Sequence, residues 1–332
     1  GLGFYVPFGG SATWSKNDAF ADNKQYPGAV DGQQRWYTIT GELRSMYFTL
    51  AAAYEIPDTG LSLGVSGNLI SSKINTIRAR VADGSNDLGP EGRALVDVKG
   101  LQASFGAGLM YEPIPDELWL GLSYQSRPNI SGGMTLTGEL RGANNLPNTD
   151  IDISQDLPDI IRLGARFRPK KDIELRLFGD YTRWSSLVRH CLTEAGAECA
   201  IEEDGSGPSN NLQNQPRDWD DTFGVRAGAS LWITPEIEGF AGLGYDGNAV
   251  PDETLEPSLV DFHDVSTALG ARVAIGDHFH AALSYTHFFY ISRDNAGKSK
   301  LAEYAAPTKG PDAGGSYSQW VGVVNANVEA NF

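Results

Sequence analysis

The chain has 332 residues and a formal net charge of −16 at pH 7, a length that allows one large β domain or two smaller ones. Because no basic cluster stands out in this acidic chain, the composition argues against a protein that binds nucleic acid. No segment approaches the roughly 18 consecutive apolar residues of a membrane helix, which excludes a helical membrane protein but not a β-barrel.

Alternation of apolar and polar residues recurs along the whole chain and predicts about twelve antiparallel strands. In chain order, the predicted strands cover 2–9, 47–56, 61–78, 99–111, 117–138, 159–168, 173–186, 222–233, 237–246, 264–275, 278–291 and 316–332. The last one alternates without a break from Val324 to Phe332 and ends in an aromatic residue, as the last strand of an outer-membrane barrel does. An edge strand of a soluble sandwich alternates in the same way, so this segment alone leaves both folds open.

The connections between the predicted strands are alternately short and long. The short ones are 57–60, 113–116, 169–172, 234–236 and 276–277, and the long ones are 11–45, 80–97, 139–157, 189–218, 247–262 and 294–315. Outer-membrane barrels have short periplasmic turns and long extracellular loops, whereas a soluble sandwich has no reason to keep its short turns on one side. We therefore predict an all-β, transmembrane antiparallel β-barrel, a single domain over 1–332 in the outer membrane of a Gram-negative bacterium, with Phe332 at the periplasmic rim.

Alternation also predicts which side chains face lipid and which face the lumen. Leu120, Leu175 and Val225 belong to the apolar face, which we expect to point outward. Charged residues share the opposite face, and that face must line the lumen because an Arg or Lys at the bilayer midplane costs about 2–4 kcal/mol. By this parity the candidate lumen residues are Met110, Trp119, Arg162, Arg166, Phe178, Arg226, Trp232, Phe240 and Arg272, with Glu174 and Asp180 on the same side.

Two cysteines, Cys191 and Cys199, lie close together in the long polar segment 189–218. Their spacing suits a small disulfide-closed loop in an oxidising compartment, although two free thiols would have the same spacing. No His/Cys cluster has metal-ligand spacing, and no Ser/His/Asp or Cys/His arrangement is compelling. The sequence thus predicts no metal, no cofactor and no enzymatic activity.

Four features, in order along the chain, carry a family resemblance. They are the segments 124–130, 180–187 and 245–251, and Asp264 at the start of the strand that follows. In these features the chain resembles the FadL-type outer-membrane transporters of long-chain fatty acids and aromatic hydrocarbons. The resemblance implies a barrel of fourteen strands around an N-terminal plug. This chain would supply the last twelve strands, and we expect the plug and the first two strands to be missing from it.

The resemblance also implies passive uptake of long-chain fatty acids or other hydrophobic small molecules, with a lateral exit at a kink in the third strand. The matching residues are Val6, Pro7, Phe8, Gly9 and Gly10. Pro7 cannot donate a ladder hydrogen bond and so favours a break in pairing, while an unpaired position near the rim stays equally open. The expected partners are the hydrophobic substrate, outer-membrane lipid and lipopolysaccharide, and the barrel-assembly machinery, which would engage the C-terminal strand.

The chemistry of the lumen face leaves alternatives open. Aromatic and arginine side chains suit an amphiphile with an apolar tail and a carboxylate, because Arg binds a carboxylate through two parallel hydrogen bonds. The aromatics could instead pack against the plug or line the periplasmic mouth, and the arginines could form structural ion pairs with Glu174 and Asp180. A second function is a structural or adhesive barrel whose long acidic loops bind protein partners or divalent cations.

Overall fold

The structure, a computed structural model, describes residues 1–81, 84–129, 133–143, 147–276 and 278–330. Within these ranges it has eighteen β-strands and four short 3₁₀ helices. The strands are β1 (Leu2–Thr13), β2 (Thr40–Ile56), β3 (Leu61–Arg80), β4 (Gly92–Ile114), β5 (Leu118–Gln125), β6 (Met134–Ala143), β7 (Thr149–Gln155), β8 (Ile160–Lys170), β9 (Ile173–Thr182), β10 (Arg189–Glu194), β11 (Asn211–Pro216), β12 (Thr222–Thr234), β13 (Ile237–Asp246), β14 (Asp264–Ile275), β15 (Phe279–Tyr290), β16 (Arg293–Asp294), β17 (Ser316–Tyr317) and β18 (Trp320–Ala330). The helices are Asp18–Phe20, Pro27–Asp31, Gln33–Trp36 and Trp184–Ser186. None of the described helices is long and apolar enough to cross a membrane.

Twelve strands pair in one continuous antiparallel wall, and this confirms the predicted all-β fold. In spatial order the wall runs β1-β2-β3-β4-β5-β8-β9-β12-β13-β14-β15-β18. Tight turns and long connections alternate along it, so all tight turns lie at one end, which is the periplasmic end in an outer-membrane barrel. Two predicted positions lie outside the described residues: Phe332 at the periplasmic rim, and Asp277 in the turn 276–277.

Several predicted element boundaries are wrong. The predicted loop 11–45 is too long, because β1 continues to Thr13 and β2 begins at Thr40, and the predicted strand 173–186 ends as β9 at Thr182. The predicted strand 117–138 is two strands, β5 and β6. In the segment between them Pro128 has no N–H to donate, and Asn129 has a φ of 50°, so the ladder cannot continue. The predicted loop 80–97 is also too long, because β4 begins at Gly92 and the alternating residues that follow pair with β3.

Four further strands extend the sheet at the end opposite the tight turns, in the order β4-β6-β7-β10-β11. Three of them, β7, β10 and β11, lie in the stretches predicted as loops 139–157 and 189–218, whereas β6 begins in the predicted strand 117–138. The four strands bury a hydrophobic core with the ends of β3 and β4 that are away from the tight turns. The core residues are Ile74, Ala94, Val96, Val98, Met134, Leu136, Leu140, Ile151, Ile153, Leu157 and Leu192. We call these four strands, together with the connections 14–39, 84–91, 183–221, 247–263 and 291–319, the cap.

The two faces of the wall differ as predicted. Leu120, Leu175 and Val225 point outward and are 41%, 44% and 46% exposed. On the opposite face Ser230 and Glu238 are buried. An apolar outer face is what a barrel presents to lipid, while the polar residues line its interior.

Candidate functional site

A β-bulge interrupts the pairing of β1 with β2. Tyr5 pairs with Tyr47 and Phe8 pairs with Ser45, so three steps along β1 match two steps along β2. Val6 and Pro7 thus both lie opposite the single residue Met46, and Pro7 has no N–H to donate to the ladder. Tyr5 and Phe8 are three residues apart and would face opposite sides in a regular strand, but the bulge places both on the inner face.

The residues of the predicted lateral opening divide between the two faces. Val6 is 46% exposed, and its Cγ1 would lie 3.3 Å from a Cβ added to Gly9 on the outer side. Pro7 and Gly10 are exposed as well, whereas Phe8 is half-buried on the inner side. Val6 and Phe8 therefore lie on opposite faces of the wall at the bulge.

Five aromatic side chains meet on the inner side of the bulge, and we call them the aromatic cluster. Tyr5 stacks on Tyr47 with ring centroids 5.4 Å apart, and Phe8 lies 6.4 Å from Tyr47. Phe8 also meets the edge of Trp184 at 5.8 Å, and Trp184 meets Trp219 at 4.9 Å. Tyr47 is 1% exposed, so the cluster forms an apolar, aromatic surface between the wall and the cap.

Local structure fixes the two tryptophans. Trp184 begins a 3₁₀ helix immediately after β9, and its carbonyl accepts the N–H of Leu187 at 2.8 Å. Leu187 in turn accepts the N–H of Trp219 at 3.5 Å. The indole Nε1 of Trp219 is buried and has no hydrogen-bond partner in the part of the chain that the structure describes.

Sequence reasoning missed Tyr5, Tyr47 and Trp219 as members of a site. Trp184 belongs to the segment 180–187 that carries the family resemblance, and this is the signal that could have located the cluster. The register of β1 on β2 brings Tyr5 and Tyr47 together, and Trp219 joins the cluster through its contact with Trp184.

Toward the tight-turn end, the predicted lumen residues form an ion-paired patch. The Arg166 guanidinium lies 4.4 Å from the centre of the Trp119 ring and 2.6 Å from Glu174. Arg176, on the same strand as Glu174, pairs with its other oxygen. Glu174 is fully buried between the two arginines. Arg166 is therefore held in a structural ion pair, which is one of the two roles that the sequence left open for the lumen arginines.

Arg226 is likewise engaged, by carboxylates from two neighbouring strands. It lies 2.7 Å from Asp180 and also pairs with Asp246, and its guanidinium is 5.7 Å from the Phe178 ring centre. Gly224 provides the room, because a Cβ there would lie 2.6 Å from Asp246 and 3.0 Å from Asp180. An arginine held by two carboxylates is not available to bind the carboxylate of a substrate.

Arg162 differs from the other predicted arginines. Arg272 pairs with Glu329 at 3.3 Å and more distantly with Glu238 at 4.0 Å. Arg162 lies on the inner face of β8, opposite Asp180 in register, and forms no ion pair with a described residue. Among the four predicted arginines it is thus the one whose charge stays unmatched within the described ranges.

The remaining lumen candidates do not join the aromatic cluster. Met110 is 49% exposed on the inner face of β4. Trp232 lies at the tight-turn end, with the Arg168 guanidinium 4.7 Å from its ring centre. Phe240 covers Gly270 of the next strand, where a Cβ would lie 2.4 Å from the ring. These residues line the part of the inner face that is nearest the tight turns.

The structure joins Cys191 in β10 and Cys199 in the connection after it by a disulfide. Cys191 is fully buried at the edge of the cap core. The bridge closes a small loop on the side of the molecule away from the tight turns.

An antiparallel wall with an apolar outer face, an ion-paired inner face and all its tight turns at one end defines a transmembrane β-barrel of the outer-membrane class. A family model described as Outer membrane protein transport protein (OMPP1/FadL/TodX) matches residues 1–311. The chain belongs to this family of outer-membrane transporters of hydrophobic compounds, which are passive channels of Gram-negative bacteria and not enzymes.

Solved structures share the fold. A Pseudomonas aeruginosa FadL homologue has a TM-score of 0.74 at 15% identity, covering 99% of this chain and 73% of that one. The Pseudomonas putida toluene transporter TodX gives 0.59 at 12% identity, with coverages of 88% and 73%. The CymD monoaromatic hydrocarbon channel gives 0.55 at 14%, with coverages of 76% and 70%. No curated protein sequence matches the chain significantly.

Proposed function

We propose that this protein takes up hydrophobic small molecules through its lumen and releases them sideways through the wall at the β1 bulge. The observation that supports the proposal best is the position of the aromatic cluster, which lies directly inside the bulge at Pro7. An apolar molecule in contact with Phe8 and Trp184 would therefore be next to the place where the wall's hydrogen-bond ladder is interrupted. Passage down a concentration gradient needs no catalytic group and no energy source.

We infer further that long-chain fatty acids are among the substrates, with Arg162 binding the carboxylate. Arg162 lies opposite Asp180 of β9, and Trp184 follows Asp180 by four residues, just after β9 ends. Four residues span at most about 14 Å, a separation that a long alkyl chain can cover. The other three predicted lumen arginines are matched by carboxylates, so Arg162 is the one among them best placed to tell an acid from a neutral hydrocarbon.

Uptake of two labelled compounds tests both parts of this proposal. Cells that lack their own uptake channels and express equal surface amounts of each variant are given oleate or toluene. Trp184→Ala should slow the uptake of both compounds, since it removes the ring that joins Phe8 to Trp219. Arg162→Gln should slow oleate uptake about tenfold, the effect of losing one charge-assisted hydrogen-bonded pair, and leave toluene uptake unchanged.

The matched control is Trp320→Ala, which removes the same side chain from the outer face, where Trp320 is 74% exposed. Normal uptake by the Trp184 variant would contradict the aromatic site. Equal slowing of oleate and toluene by the Arg162 variant would contradict the carboxylate assignment while leaving hydrophobic uptake in place.

A further inference from the structure

One arginine beside the cap is buried without a hydrogen-bond or ion-pair partner among the described residues. Arg78, near the upper end of β3, is 6% exposed, and its guanidinium forms no hydrogen bond or ion pair with any residue that the structure describes. It borders a cavity of about 50 Å³ that is also lined by Arg80, Trp36, Asn214 and Glu256. A buried guanidinium without an acceptor is costly, so the content of this cavity matters.

Positive charge exceeds negative charge around the cavity. Glu256 is the one carboxylate among its described lining residues, and it is already bound at 2.6 Å by Arg217. Arg80 donates to the backbone carbonyl of Leu212 at 2.9 Å, which is a neutral acceptor. No carboxylate that the structure describes is paired with Arg78 or Arg80, in a chain whose overall charge is −16.

We propose that this cavity binds a compact oxyanion, a carboxylate or phosphate group held mainly by Arg78 and secondarily by Arg80. Guanidinium groups present parallel N–H donors that match the two oxygens of such an anion. A volume of about 50 Å³ equals the space of a few water molecules, which suits a compact charged group.

Calorimetric titration with acetate and with inorganic phosphate tests the site directly. The protein is purified from outer membranes in detergent micelles, and ionic strength is held constant with sodium chloride. The wild type should bind at least one of the two oxyanions in competition with chloride. Arg78→Gln should weaken that binding about tenfold or more, which is the effect of losing a charged hydrogen-bonding group.

Arg141→Gln is the matched control, because Arg141 is an exposed arginine on β6 that pairs with Glu139 away from the cavity. Its oxyanion affinity should equal that of the wild type. Arg80→Gln provides a second variant, with an expected smaller loss, in case Arg78→Gln does not fold. No oxyanion binding by the wild type, or unchanged affinity in both cavity variants, would overturn the proposal.

The anion has two sources, a free small anion or the head group of an amphiphilic substrate, and the second rests on the proposed function. Displacement of phosphate by oleate, but not by its methyl ester, would identify the head group as the ligand. Phosphate binding that oleate does not displace would identify a free anion. Binding is measured separately from uptake, so loss of the anion site and failure of the uptake proposal give different results.

Discussion

The buried ion pair between Arg217 and Glu256 provides a sharp test of how the cap is held together. The charged atoms are 2.6 Å apart, and each side chain is 2% exposed. Glu256 also accepts the backbone N–H of Ser258 at 2.6 Å, and Thr254 donates its hydroxyl to the carbonyl of Arg217 at 2.7 Å. Burial and the neighbouring Arg217 hold the pKa of His190 well below its usual range, so His190 stays neutral and adds no charge.

Replacing Glu256 by Gln leaves Arg217 charged, buried and without a counter-ion among the residues that the structure describes. Removing one partner from a buried pair costs about 3–5 kcal/mol, which corresponds to a rise of roughly a hundredfold to several thousandfold in local opening of the cap. The wall strands should not be affected, because their ladders do not include either residue.

Hydrogen exchange measures this opening residue by residue. The amide of Arg217 donates to Val188 at 2.8 Å, and the amide of Asp220 donates to Ala249 at 2.8 Å, so both report on the cap. In Glu256→Gln these amides should lose protection, while amides of β13 keep theirs. The control is the double variant Arg217→Met/Glu256→Leu, which replaces the pair by apolar groups and should recover most of the protection. A change below about 0.5 kcal/mol in the single variant, or equal loss in the double variant, would refute the reasoning.

Two further predictions concern the cap and the wall. Thiol labelling of the denatured, unreduced protein should find no reactive Cys191 or Cys199, and two reactive thiols would contradict the bridge. Replacing both cysteines by Ser should lower the stability of this part of the cap by about 2–3 kcal/mol, as expected for a sequence separation of 8. Deleting Pro7 should close the bulge while leaving Tyr5 and Phe8 on the inner face, and oleate uptake should fall at equal surface expression. Unchanged uptake with the ladder shown to be continuous would mean that the substrate leaves by another path.

Alternation predicted the wall because each wall strand has one apolar and one polar environment along its length. The rule failed where strands leave the membrane. In β7 the buried Ile151 and Ile153 alternate with Asp150 and Asp152, but the segment is short and acidic and was therefore predicted as part of a loop. There the outward face meets water instead of lipid, so acidic residues are compatible with a strand.

The sequence predicted which arginines face the lumen but not which of them are paired. Register alone places Asp180 opposite Arg162. In the structure Asp180 instead pairs with Arg226 of the next strand, 2.7 Å away, because Gly224 leaves the space between them empty. Which arginine pairs with Asp180 thus depends on Gly224, a residue without a side chain that lies two strands away from Arg162. Apolar–polar alternation carries no information about this.

Apolar–polar alternation along a strand cannot predict the bulge, although the bulge is the feature that matters most for the proposed site. In a regular strand, Phe4, Val6 and Phe8 would all face outward, and the wall would be apolar outside and closed. One extra residue at Pro7 turns Phe8 inward, where its ring meets Trp184 at 5.8 Å, while Phe4 stays outside against Phe48 at 5.1 Å. The same irregularity therefore weakens the ladder and supplies an aromatic ring to its inner side. In this sequence the proposed exit and the inward position of Phe8 are in this way two consequences of a single backbone insertion.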